Sequence, residues 1–243
     1  MNSLSSNGIS AIIWDYDGTL VDSREKNLHV TRRIVERVTG IDPTKFPALQ
    51  TLENYALNNR ASRNWRDLYT KTFGLTEEQT DEAGRLWSEY QLNDVTPTPM
   101  FIGIQEALAA LQRLPHGIVS QNSRGAIVRV LKENALLHLF HTVIGYEEVD
   151  LRLQKPDPTG LLMCIEQLTR WRQGTVLYVG DHETDIECAV NTNHELKQRG
   201  LGIHVVSIGA SYSSDDGFPG WNSRPEYEAK AVKDLLDIVG RFQ

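Results

Sequence analysis

Cysteine is scarce in this sequence. The two thiols, Cys164 and Cys188, stand 24 residues apart with no Cys-x-x-Cys pair and no Cys/His spacing. That argues against a disulfide framework or a zinc site and for reduced thiols in a cytoplasmic protein. Positive charge is also short. Lys and Arg number 25 against 32 Asp and Glu, a net charge of -7, which disfavours broad binding to a nucleic-acid polymer. It leaves room for a small anion, because one lysine and a metal ion can reverse the potential inside a single pocket. Long apolar runs are missing as well. No stretch approaches the roughly 20 residues that span a bilayer, and residues 1–8 have neither a basic start nor an apolar core. The expectation is a soluble, cytoplasmic protein without a membrane partner.

What is present is ordinary for a globular chain of 243 residues, with 40% hydrophobic and 23% charged, enough for a large core and a smaller second unit. Apolar, β-branched runs at 9–14, 117–119 and 176–179 each stop at a polar residue, namely Asp15, Ser120 and Gly180-Asp181. Short continuous runs of this kind predict strands buried on both faces of a parallel sheet. Residues 142–144 and 203–208 are further candidates. Between them, Ile104, Ala107, Leu108 and Leu111 follow the i, i+3, i+4, i+7 rule of a helix packed on one side, and Ile127, Val128, Val130 and Leu131 form a similar face. Strand alternating with helix predicts an α/β fold with a doubly wound parallel sheet, whose ligands bind beyond the carboxyl ends of the strands. Asp15, Ser120 and Asp181 are expected to converge there.

Residues 22–98 break the alternation and read as helices. Asp22-Ser23 can cap a helix carrying Leu28, Ile34, Val35 and Val38, and Thr76-Glu77-Glu78-Gln79 is a capping-box pattern. Thr96-Pro97-Thr98-Pro99 has the composition of a linker. The expected division is a core start at 1–21, an all-helical cap at 22–98 and the rest of the core at 99–243. Arg60, Arg63 and Arg66, spaced by three around Trp65, fit a solvated helix face better than an anion-binding one. Residues 209–224, rich in Ser, Asp and Gly, read as an added loop, a surface segment more than a wall of the site.

The chemistry is concentrated in Asp15-Tyr16-Asp17-Gly18-Thr19-Leu20. Two carboxylates at i and i+2 past a buried strand can face one pocket if the backbone turns at Gly18, bringing N–H groups to an anion. One could attack phosphorus while the other handles the leaving group's proton. This string, with Val21-Asp22-Ser23 after it, resembles the first motif of the haloacid-dehalogenase-like phosphatases. The resemblance implies Asp15 as nucleophile and Asp17 as general acid/base that also offers its carbonyl to Mg²⁺. Three further motifs then appear in the family's order. Ser120, followed by Gln121 and Asn122, resembles the second and implies a phosphate-binding hydroxyl, although the family's polar neighbour is displaced by Gln121. Lys155-Pro156-Asp157-Pro158 resembles the third, whose lysine neutralises phosphoryl oxygens. Gly180-Asp181-His182-Glu183-Thr184-Asp185 resembles the fourth. It implies Asp181 as a direct ligand of Mg²⁺, with Asp185 binding through water or orienting the loop.

Together with the helical insert, these motifs resemble the helical-cap subgroup that includes phosphoglycolate phosphatases. They imply a Mg²⁺-dependent phosphatase acting on a small phosphorylated metabolite. The metal set is then Asp15, Asp17, Asp181 and Asp185; Gly18, Thr19, Ser120, Gln121, Asn122 and Lys155 bind substrate. A phosphomutase of the β-phosphoglucomutase type and a non-catalytic binding protein remain as alternatives. A dehalogenase would lack Asp17, and a phosphoacceptor receiver module is about half as long.

Overall fold

The computed structural model describes residues 8–213, 217–218 and 220–242; the polar start at 1–7, and 214–216 and 219 within the 209–224 segment, lie outside the described residues. A sheet of six strands in the order β3-β2-β1-β4-β5-β6 carries the fold. Its members are β1 (Ile9–Trp14), β2 (His116–Val119), β3 (Phe140–Ile144), β4 (Gly174–Gly180), β5 (Ile203–Ala210) and β6 (Tyr227–Ala229). Every neighbouring pair is parallel. The chain winds outward from β1 to β3, then returns to the other side of β1 for β4 to β6, so the order reverses beside β1. A crevice opens at such a reversal, beyond the strands' carboxyl ends.

Successive strand residues point to opposite faces, and both faces are covered. Ile12, Trp14, Ile118, Leu177 and Val179 join one apolar cluster; Ala11, Ile13, Val119, Val176 and Tyr178 join another. Four helices of the insert precede those of the core: α1 (Arg24–Thr39), α2 (Leu52–Ala61), α3 (Trp65–Asp67) and α4 (Glu77–Asn93). Residues of α5 (Ile104–Leu111), α6 (Arg124–Glu133) and α9 (Asp234–Gly240) pack into the first cluster, and those of α7 (Thr159–Thr169) and α8 (Glu183–Gln198) into the second. Burial on both sides is why the strands are continuous apolar runs. One polar pair sits inside: the indole of Trp14 donates to Nδ1 of His116 at 3.0 Å. An indole can only donate, so Nδ1 is bare and Nε2 carries the proton towards the Leu111 carbonyl, 3.0 Å away.

The insert has its own apolar core, in which Ile34, Val35, Leu49, Leu68 and Ala83 are buried. Leu68–Thr72 continues α3 as a wide π-helical turn. Thr76 and Gln79 form the reciprocal capping box of α4 that their spacing predicts. At α1 the Ser23 side chain makes no capping bond, whereas Asp22 Oδ1 accepts from Arg24 N at 3.2 Å and from the Arg24 guanidinium at 2.8 Å. The outgoing and returning chains run side by side, with Asp22 N donating to Pro99 O at 2.8 Å and Phe101 N to Leu20 O at 3.1 Å. The Arg60, Arg63 and Arg66 triplet does not share a helix face. α2 ends at Ala61, and Arg66 lies in α3, paired with Glu77 at 2.6 Å and Asp81 at 2.7 Å. No helix among the described residues is long and apolar enough to cross a membrane.

Candidate active site

Asp15 follows β1 directly, and its N–H extends the ladder to Val179 O at 2.8 Å. The chain then folds tightly, with Leu20 N and Val21 N donating to Tyr16 O at 3.0 and 3.2 Å. Gly18 makes the turn with φ +75, and a Cβ there would stand 2.0 Å from Asp181 Oδ2. Both the left-handed backbone and the close approach require glycine. The turn leaves Asp15 buried and Asp17 half-buried on the wall of one cavity.

Lys155, from the loop before α7, joins two carboxylates. Its Nζ donates to Asp15 Oδ1 at 2.6 Å and to Asp185 Oδ1 at 2.7 Å. Asp185, at the first turn of α8, also accepts from the Tyr178 hydroxyl at 2.9 Å and from His182 N at 3.1 Å. Gly180 permits this, because a Cβ on it would meet Asp185 Cγ at 2.4 Å. Asp185 is therefore fully engaged by the protein. Asp181 is held more loosely, accepting from the hydroxyls of Thr19 and Ser213, each 3.5 Å away.

Oxygens of Asp15, Asp181 and Asp185 lie within 4.8 Å of one another. Burial pushes the Asp15 carboxyl up to about 7, Lys155 pulling against that and the charges of Asp185 and Asp17 adding to it. Burial, then the charges of Asp15, Asp185 and Asp17, hold Asp181 well above the usual carboxylate range. Burial opposes the charge on Lys155, yet Asp15 and Asp185 keep its ammonium above its ordinary value. One lysine thus faces an excess of acid. Hard carboxylate oxygens with that excess fit Mg²⁺, which takes oxygen ligands and retains waters. Asp185 uses one oxygen for Lys155 and Tyr178 and the other for His182 N, which leaves Asp15 and Asp181 with the less engaged oxygens.

Ser120 sits at the end of β2, buried, and its Oγ accepts from Asn122 N at 3.1 Å. Gln121 lines the cavity; its carbonyl accepts from the Trp87 indole of α4 at 3.1 Å. Asn122 and Thr19 do not line it. Asn122 instead donates to both Asp17 oxygens at 3.0 Å, which gives the displaced polar residue a use that its spacing did not reveal. Two further amides back Asp17: Asn27 of α1 donates to it at 3.4 Å and accepts from Gln91 of α4 at 2.7 Å.

The described residues of the 209–224 segment border the site instead of lying apart from it. Ser213 lines the cavity, and the Tyr212 hydroxyl donates to Thr19 O at 2.7 Å. Trp221 stacks on Phe218 and lies against His182, whose imidazole burial holds below its usual pKa. Glu183 accepts from the N–H groups of Asn222 and Ser223. The chain returns over α8 because these anchors hold it there. The cavity encloses about 210 Å³ between the strand ends and helices α1, α2 and α4.

Comparison with known proteins agrees with this geometry. Residues 12–197 match the model of the haloacid dehalogenase-like hydrolases. The chain is 26% identical over 240 residues to Pyrophosphatase PpaX of Listeria monocytogenes, covering 95% of this chain and 96% of that one. It is 28% identical over 236 residues to a phosphoglycolate phosphatase of Synechococcus elongatus, covering 95% and 97%. Among solved structures, a HAD-superfamily hydrolase of subfamily IA from Geobacter sulfurreducens shares the fold with a TM-score of 0.59 at 22% identity, over 98% of this chain and all of that one. The chain belongs to the haloacid dehalogenase-like hydrolases.

Proposed function

We propose that the protein is a Mg²⁺-dependent phosphatase that hydrolyses a small soluble phosphate monoester through a phosphoaspartyl intermediate on Asp15. The observation that carries the reading is the seating of Asp15, buried at a strand end with Lys155 on one oxygen and the cavity before it. In the first step an Asp15 oxygen forms a bond to phosphorus while the bond from phosphorus to the ester oxygen breaks. Asp17, aimed by Asn122 and Asn27, gives its proton to the departing oxygen. In the second step Asp17 takes a proton from water, the resulting oxygen attacks phosphorus, and Asp15 is released. The Ser120 hydroxyl holds a phosphoryl oxygen, and Lys155 lowers the repulsion between dianion and carboxylate. Asp15 and Asp181, with the Asp17 carbonyl, would hold a magnesium ion, which would supply the remaining positive charge. Asp185 orients Lys155 and the loop. The cap helices shield the site from bulk water.

A cavity of this size favours metabolites over polymers. Pyrophosphate and phosphoglycolate, named by the relatives, are the first candidates for a Mg²⁺-dependent screen read as released phosphate. Asp15→Asn should remove at least roughly a thousandfold of the turnover. An Asp15→Asn protein that keeps most of its rate rules the mechanism out, and isomerised sugar phosphate without free phosphate would mark a mutase.

A further inference from the structure

The cavity wall holds four hydroxyls where cap and core meet, two of which the fold does not use. Thr31 of α1 and Tyr55 of α2 share a bond of 3.2 Å. Beside them the Tyr69 hydroxyl, on a side chain only 4% exposed, has near it only the Thr31 hydroxyl that Tyr55 already engages and makes no hydrogen bond, and neither does the buried hydroxyl of Tyr146. All four residues line the cavity. Unpartnered buried polar atoms are rare and destabilising, so a pair of them on one wall calls for a reason.

Both phenols are held in place. The Tyr69 ring lies edge-on between Trp65 at 5.9 Å and Phe73 at 5.3 Å. The π-helical turn puts Trp65, Leu68 and Tyr69 together on the cavity wall, and such turns recur at functional sites. Tyr146 follows β3, with its N–H on Asn122 O at 2.8 Å and its carbonyl on Gln154 Nε2 at 3.0 Å. Opposite it, α4 is bare: a Cβ on Gly84 would stand 2.8 Å from the Tyr146 hydroxyl. Burial keeps Tyr55 and Tyr146 at about 12 and Tyr69 higher still, so these are neutral donors at any working pH. Trp65 and Trp87 add flat apolar surface, suited to the C–H face of a sugar. Arg24, also on the wall, is already gripped by both oxygens of Asp22.

We infer that the hydroxyls of Tyr69 and Tyr146 bind the leaving group, and that the ester turned over here has a neutral, hydroxylated leaving group of the sugar or polyol type, not a carboxylate. The inference rests on the phosphatase reading above. Because the wall also carries Arg60, phosphoglycolate is the deciding comparison.

Phosphate release with Mg²⁺ is measured for p-nitrophenyl phosphate, phosphoglycolate, and a panel of hexose, pentose and alditol phosphates. The best panel member should exceed phosphoglycolate in kcat/KM by about tenfold or more. Tyr69→Phe and Tyr146→Phe should each lower the ratio of kcat/KM for that ester to that for p-nitrophenyl phosphate by about three- to tenfold. Tyr69→Phe should also keep or raise the unfolding midpoint, since it deletes an unpartnered hydroxyl. A preference for phosphoglycolate, equal losses on both esters, or a lowered midpoint overturns the inference. No release from p-nitrophenyl phosphate at all would instead sink the phosphatase reading, and this one with it.

Discussion

Lys155→Met is the sharpest test of the electrostatics at the site. The wild-type ammonium lies 2.6 Å from Asp15 and 2.7 Å from Asp185, with all three side chains buried. Removing one partner of a buried ion pair costs about 3–5 kcal/mol at neutral pH, because the remaining charge is left uncompensated. Lys155 holds the Asp15 carboxyl down at about 7 against burial, so the folded variant keeps that carboxyl's proton to higher pH than wild type does. The unfolded chain does not hold it above its ordinary carboxylate pKa of about 3.9. Folded variant therefore binds more protons than unfolded, and its stability must fall as pH rises. Above pH 7, where wild type has released that proton, the deficit relative to wild type grows by about 1.4 kcal/mol per pH unit, or about 3 kcal/mol between pH 7 and pH 9. Urea unfolding followed by circular dichroism, with chelator in both samples, reads the difference directly. A deficit that stays constant across that range would refute the argument, as would an equal slope in the double variant Lys155→Met/Asp15→Asn.

Other outcomes follow from single contacts. Gly18→Ala faces a left-handed φ that costs about 1–2 kcal/mol and a methyl 2.0 Å from Asp181 Oδ2; the Mg²⁺ concentration for half-maximal activity should rise several-fold, read by metal titration. Asn122→Ala releases both oxygens of Asp17 and should lower kcat by about tenfold or more with KM little changed, which steady-state kinetics would show. His116 is fully buried, and burial holds its pKa below 6.5. Its contribution is present above pH 6.5 and lost as pH falls, at a limiting slope of about 1.4 kcal/mol per unit; His116→Gln should lack that slope in unfolding titrations between pH 7.5 and 5.5.

The sheet was legible because its strands are buried on both sides, so each appears as an unbroken apolar run. Residues 9–14 match β1 to the residue. β6 escaped: Tyr-Glu-Ala is three residues long, at the sheet edge, with its glutamate exposed. The four motifs were visible as strings, and Asp15, Lys155, Asp181 and Asp185 do meet in space. What backs them was not visible. Asn27 and Gln91 lie 64 residues apart, and nothing in local spacing tells an amide aimed at Asp17 from a solvated one. The arginine triplet misled because periodicity assumes one continuous helix, whereas the chain bends between Ala61 and Trp65. The segment after β5 was read from composition alone, which carries no information on where Glu183 and His182 would anchor it.

The paired crossings at Asp22 and Phe101 have a consequence for the architecture. Viewed from the sheet, some seventy-odd residues leave and come back through neighbouring hydrogen bonds, so the whole helical module occupies the footprint of a tight turn. Closing a long excursion adds entropy only logarithmically with its length, and the strands sense little of what lies beyond the seam. Apart from Asn27, Gln91 and Trp87, which hold Asp17 and Gln121 in place, the ceiling is thus free to be reshaped for a different guest while the floor keeps its carboxylates fixed.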